Sequence, residues 1–150
     1  MQIHTQFPPA LLARAAALWL SGRVKFPSDQ LGKIIEEQGA FEIFRKVVVK
    51  PAGQKSIVPG AIFKVNFRFA KFSNSTNKVL SKIPIPFIVA QPGFISKTWL
   101  YDESTSIFKG VYEWNSVDEA EWYWNSFPMN LMKGRSVPES LNYEVIKVES

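Results

Sequence analysis

From Ala61 to Phe69 the chain reads AIFKVNFRF, and apolar side chains fall on every second residue. Ala61, Phe63, Val65, Phe67 and Phe69 point one way, while Ile62, Lys64, Asn66 and Arg68 point the other. Period two marks a half-buried strand, so one face must be covered and the other meets water or a partner. The rest of the chain has to supply that cover. With 150 residues, 46% hydrophobic and 21% charged, it can do so within one folded domain and without covalent staples. There are no cysteines, which excludes disulfides, thiolate metal sites and a cysteine nucleophile, and fits a reducing cytoplasm.

Upstream, Pro8 and Pro9 suit a first helical turn, and Leu11, Leu12, Ala15, Leu18 and Trp19 share one face. A helix over about 9–21 is predicted, with Gly22 as its stop. It is too short to span a bilayer, and Ala10–Leu20 lacks the basic lead of a signal peptide. Ser28 and Asp29, ahead of Leu31, Ile34 and Ile35, predict a second helix ending near Gly39. Phe41–Val49 closes on three valines and reads as a strand, and residues 51–56 form a loop. The expected organisation is a helical segment over 1–56 packing on a main module over 57–150.

After the first strand of that module, a helix is expected near Asn77–Lys82, broken by Pro84 and Pro86. Residues 93–114 read GFISKTWLYDESTSIFKGVYEW: a strand over Phe94–Tyr101, a turn over 102–106 and a returning strand over Ile107–Trp114. Ser116 and Glu119 form a capping box, and Val117, Ala120, Trp124 and Phe127 follow at helical spacing until Pro128. Leu141–Val148 reads as a last strand. The order strand, helix, strand, strand, helix, strand is that of a ferredoxin-like α+β sheet, with helices on one face of antiparallel strands.

Several features of 92–123 go together: Pro92-Gly93, Lys97-Thr98-Trp99, an acidic turn, Gly110-Val111-Tyr112-Glu113-Trp114, and a helix carrying Ala120 and Tyr123. In these the chain resembles the small dimeric α/β-barrel proteins of monooxygenase type, over roughly residues 60–148. The resemblance implies a homodimer in which two sheets face each other, with a cavity between sheet and helices. It implies an apolar or aromatic small-molecule ligand and, as an extension, cofactor-independent monooxygenase chemistry. Some barrels of this kind bind haem through histidine. The one histidine here is His4, ahead of the module, so neither haem nor a histidine-based metal site is expected, and no cofactor is assigned.

Ligand-binding candidates are Trp99, Tyr101, Tyr112 and Tyr123, whose polar tips can rim an apolar pocket. Lys64, Asn66 and Arg68 form a second, polar set. Glu113 is the one weak candidate for a catalytic base, and an antiparallel pairing would bring it to Lys64. Plain packing also accounts for the aromatic residues, and a solvated ion-paired face accounts for the charges.

Net charge is +5 and uneven: residues 1–100 carry +10 and residues 101–150 carry −5. An anionic partner would suit the basic part. Nucleic acid is the weaker reading, because a base-stacking third strand wants aromatic rings where Val111 and Glu113 stand. The remaining class is a non-catalytic structural or interaction module.

Overall fold

The computed structural model describes residues 6–53 and 57–149. Helix α1 spans Pro8–Leu20 and buries Leu11, Ala15 and Leu18, the i, i+4, i+7 stripe of the sequence. Strands β1 (Val24–Lys25), β2 (Ile34–Glu36) and β3 (Ala40–Val49) follow. Next come β4 (Ala61–Phe67), α2 (Asn74–Leu80), α3 (Ile85–Val89), β5 (Phe94–Asp102) and β6 (Ile107–Trp114). The chain closes with α4 (Val117–Tyr123), α5 (Phe127–Arg135), a short 3-10 turn and β7 (Asn142–Lys147).

All strand pairs are antiparallel, in the order β1-β3-β5-β6-β4-β7, with β2 paired to β3 beside that path. The crossover from β4 to β5 skips one strand, and so does the crossover from β6 to β7. The two interleave, which is the ferredoxin-like arrangement expected from the element order. The face of β4 that carries Ala61, Phe63, Val65 and Phe67 is buried under the helices.

The second predicted helix is not formed. Ser28 starts only a turn, closed by Leu31 N–H donating to its carbonyl at 3.3 Å. Gly32 takes φ 87°, outside the helical region, and its N–H donates to Ile43 O at 2.9 Å. The β-branched pair Ile34-Ile35 then joins β2, which hydrogen-bonds to β3.

The helix placed at 77–82 begins earlier. Ser73 caps it, accepting from Thr76 N at 3.2 Å, and the prolines that end it start α3. Ser116 caps α4 as expected, accepting from Glu119 N at 3.3 Å. Glu119 returns its carboxylate to the Ser116 hydroxyl at 2.9 Å. Before α1, Gln6 and Gln91 exchange two amide hydrogen bonds of 3.0 Å, and Gln6 Oε1 also accepts from Phe127 N at 2.9 Å. This ties the start of the chain to α3 and α5.

The expected meeting of Lys64 with Glu113 does not occur. Register sets Lys64 opposite Val111 and Glu113 opposite Ile62. Lys64 instead pairs with Glu37 at 3.0 Å, because the turn after β2 reaches over the open face of the sheet. Glu113 accepts from the Ser96 hydroxyl at 2.6 Å.

Candidate functional site

The register of β5 fixes which side chains enter the space under the helices. Lys97 opposes Tyr112, Trp99 opposes Gly110 and Tyr101 opposes Phe108, all on the helix-covered face. A lysine thus stands where the alternation calls for an apolar residue. It is 9% exposed, and its ammonium sits 4.3 Å from the Trp99 ring centre and 4.6 Å from that of Tyr112. These are cation–π distances. Among the described residues it has no ion-pair or hydrogen-bond partner.

The stem of Lys97 needs room, and Gly110 supplies it. A Cβ built on Gly110 would lie 3.3 Å from Lys97 Cε and 2.9 Å from Tyr112 Cε1. A glycine inside a strand commonly marks such a close approach.

A second cation reaches the same indole from β3. A bulge between Ile43 and Arg45 sends both Phe44 and Arg45 to the helix side, where Phe44 packs edge-on against Phe108. The Arg45 guanidinium lies 5.1 Å from the Trp99 ring centre. It donates to the Ser81 hydroxyl at 2.7 Å and to Lys78 O at 2.9 Å, pinning the end of α2 to the sheet.

Between sheet and helices lies a cavity of about 60 Å³. Trp99, Tyr112 and Tyr123 line it together with Lys97, Arg135 and Met129. No carboxylate lines it among the described residues. Burial first, and then the Arg45 charge, hold the Lys97 amine well below the usual lysine range. Burial pushes the Tyr112 and Tyr123 hydroxyls up, so both stay protonated, with Tyr123 donating to Tyr112 at 3.2 Å. The Tyr112 proton is left free to donate to a ligand oxygen, and neither phenol can serve as a base near neutrality. Arg135 is held by Asn77 Oδ1 at 2.7 Å and lies 4.7 Å from the Phe69 ring centre.

Trp99, Tyr112 and Tyr123 therefore meet in one place. Tyr101 stands further along β5, outside the cavity lining; its hydroxyl accepts from Asn74 Nδ2 at 2.6 Å, beside Lys78. Lys64, Asn66 and Glu113 lie on the opposite face of the sheet. Arg68 follows the end of β4, exposed, and donates to Thr105 O at 2.9 Å. Lys97, Arg45 and Gly110 are the site residues that the sequence reading passed over. The signal for two of them was there: Lys97 is in phase with Trp99 and Tyr101, and Gly110 interrupts a strand of bulky residues.

The open face of β4 and β6 presents Ile62, Lys64, Asn66, Lys109, Val111 and Glu113, with no aromatic ring for a base to stack on. Among the described residues no group of His, Cys, Asp or Glu is arranged to hold a metal ion. No helix among them is long and apolar enough to cross a membrane. His4 lies outside the described residues.

No protein-family model and no curated protein matches the chain. Its fold is shared by solved structures, among them two from Listeria monocytogenes. One is an uncharacterized ferredoxin fold protein related to antibiotic biosynthesis monooxygenases, from Listeria monocytogenes 4b F2365. It is 10% identical with a TM-score of 0.55, over 79% of this chain and 69% of that one. The other is LmHde, a heme-degrading enzyme from Listeria monocytogenes. It is 8% identical with a TM-score of 0.51, over 84% of this chain and 97% of that one. The chain is thus an α+β protein with the ferredoxin fold of these proteins. A haem does not fit its cavity: about 60 Å³ is far below the ~300–1,000 Å³ of pockets that enclose drug-sized ligands.

Proposed function

We propose that the protein binds a small compound with an apolar body and one anionic or enolic oxygen, held in the cavity between sheet and helices. One observation carries this reading. Lys97 projects its amine into an aromatic-walled space that offers it no carboxylate. An amine enclosed by rings and given no carboxylate is costly to keep charged, and a ligand of opposite charge relieves that cost. The ligand brings the missing negative charge, the rings of Trp99 and Tyr112 flank it, and the Tyr112 hydroxyl donates to its oxygen. The thioethers of Met129 and Met132, which line the cavity, can turn aside for a body larger than the empty space.

Thermal shift with matched aromatic and acyl compounds, in acid and neutral forms, tests this. Acids should raise the melting temperature and neutral analogues should not. Uniform absence of stabilisation across the panel overturns the reading.

Monooxygenase-type chemistry is the finer form of this proposal, in line with the relatedness stated for one fold neighbour. Cofactor-independent oxygenation needs a base that turns the substrate into an electron-rich anion. Glu113 lies on the wrong face of the sheet for that task, whereas Lys97 in its neutral form can take the proton and then stabilise the anion as ammonium. Oxygen uptake with electron-rich phenols, lost in Lys97→Met, is the measurement.

A homodimer formed through the open sheet face belongs to the same reading. Across that face Val48, Ser96, Glu113, Ile62 and Ile146 stand in one row, apolar at both ends. Sedimentation velocity checks it, and a strictly monomeric species rules it out.

A further inference from the structure

We infer that Lys97 is a covalent capture site: its amine forms an imine with a short-chain carbonyl compound, favoured when that compound also carries a carboxylate. This rests on the reading that the cavity is the ligand site, and it names the ligand class.

Four observations converge on the nucleophile. The Lys97 side chain is nine-tenths buried and lines the cavity. Among the described residues its nitrogen has no hydrogen-bond or ion-pair partner, so the lone pair, once free, is not engaged elsewhere. The rings of Trp99 and Tyr112 and the backbone at Gly110 confine its stem to one path. A second cation, Arg45, shares the Trp99 ring. An apolar pocket and a neighbouring cation are the two means by which a lysine becomes a neutral nucleophile near neutral pH. Both are present here, and burial is the larger.

The step balances without a further reactant. The nitrogen lone pair adds to the carbonyl carbon, and the carbon–oxygen π pair moves to oxygen. The resulting carbinolamine loses its oxygen as water, which carries away both hydrogens of the amine. One C=N bond replaces one C=O bond, and nothing is oxidised or reduced.

The cavity bounds the partner. About 60 Å³ is well under the ~150 Å³ cavity that takes a benzene ring, so a captured end of a few heavy atoms enters without displacing Met129 or Met132. Arg135 lines the same space and, among the described residues, no acidic residue does, so a carboxylate on the carbonyl compound meets an opposite charge. A 2-oxo acid joins the two features.

The test treats the native full chain with glyoxylate and cyanoborohydride near neutral pH, then maps modified lysines by peptide mass spectrometry. Acetaldehyde and acetate are run alongside. The lowered pKa enlarges the neutral fraction of the amine near neutral pH, so Lys97 should be modified several-fold faster than the surface lysines. Glyoxylate should outpace acetaldehyde, and Lys97→Arg should abolish the adduct while leaving other lysines labelled. The mapping on native protein stands even if that variant folds poorly.

If glyoxylate or acetate raises the melting temperature and Lys97 reacts no faster than other lysines, capture is overturned and the anion-binding reading stands. If no ligand shifts the melting temperature and Lys97 stays unmodified, both fall. Equal labelling by acetaldehyde overturns the carboxylate preference.

Discussion

Gly110 stands directly across from Trp99 in the β5–β6 pair, and its missing side chain is the space that the Lys97 stem runs through. A methyl group there would come to 2.9 Å from Tyr112 Cε1, on a ring packed against Phe63, Trp114 and Tyr123. Gly110→Val should therefore destabilise by about 1–3 kcal/mol and suppress ligand-induced thermal shifts. Urea unfolding beside the thermal-shift panel measures both. A variant as stable as the parent, with unchanged ligand response, would contradict the packing described for the cavity.

Replacing the buried amine should stabilise the empty protein. Lys97→Met keeps the volume and removes a polar group that costs about 1–3 kcal/mol when unpaired. The pH dependence gives the sign. The folded-state pKa of Lys97 lies below its ordinary value of 10.5, so below that value the unfolded chain binds the extra proton. Stability contributed at this residue therefore rises with pH, from the depressed folded value up to the ordinary one. The advantage of Lys97→Met should be largest at low pH and shrink as pH climbs toward 10. Melting curves over pH 6–9 stay below the tyrosine titrations, and a constant advantage there would refute the titration.

Arg45 bears on Lys97 in two ways that can be separated. Its charge is the second cause, after burial, of the lowered Lys97 pKa. Its hydrogen bonds to Ser81 and Lys78 hold α2. Arg45→Met should raise the pH at which Lys97 becomes reactive and cost about 1–3 kcal/mol. Arg45→Lys restores the charge without the forked geometry, so it should keep the reactivity profile nearer the parent while losing stability. The labelling rate of Lys97 against pH distinguishes the two roles.

On the opposite face the expectation is near silence. Glu37 and Lys64 form a partly exposed pair at 3.0 Å, worth no more than about 1 kcal/mol. The Lys64 hydrogen bond lowers the Glu37 pKa below 4.5, so this small contribution is present above that value and fades as pH falls through the lowered one. Lys64→Ala should change neither ligand response nor Lys97 labelling. A lost response in that variant would move the binding site to the open face.

Much of the fold was legible because its signals are local. Strand β6 was readable residue for residue from period two and its flanking turn, and the Ser116 cap announced α4. The segment around Ile34 misled for an equally local reason. Ser28, Asp29 and apolar residues at helical spacing satisfy a helix rule, but Gly32 and pairing with β3 decide the outcome. Of the candidate site, Trp99 and Tyr112 on the strands and Tyr123 on α4 were visible as aromatic residues with polar tips. Lys97 was not, since a lysine is ordinarily solvent-facing and only the strand phase marks it as buried. The cavity itself depends on where α3 and α5 come to rest over the sheet, and spacing along the chain does not encode that position.

The bulge at Phe44 reverses which residues of β3 face the helices partway along the strand. On one side of the bulge odd-numbered residues face the open side of the sheet, and on the other they face the helices. Deleting Phe44 or Arg45 would restore strict alternation and leave Ile43 on the open face and Glu42 on the helix side, but it would remove either the ring against Phe108 or the guanidinium that holds α2. The extra residue lets one strand present a ring and a cation side by side to the helices.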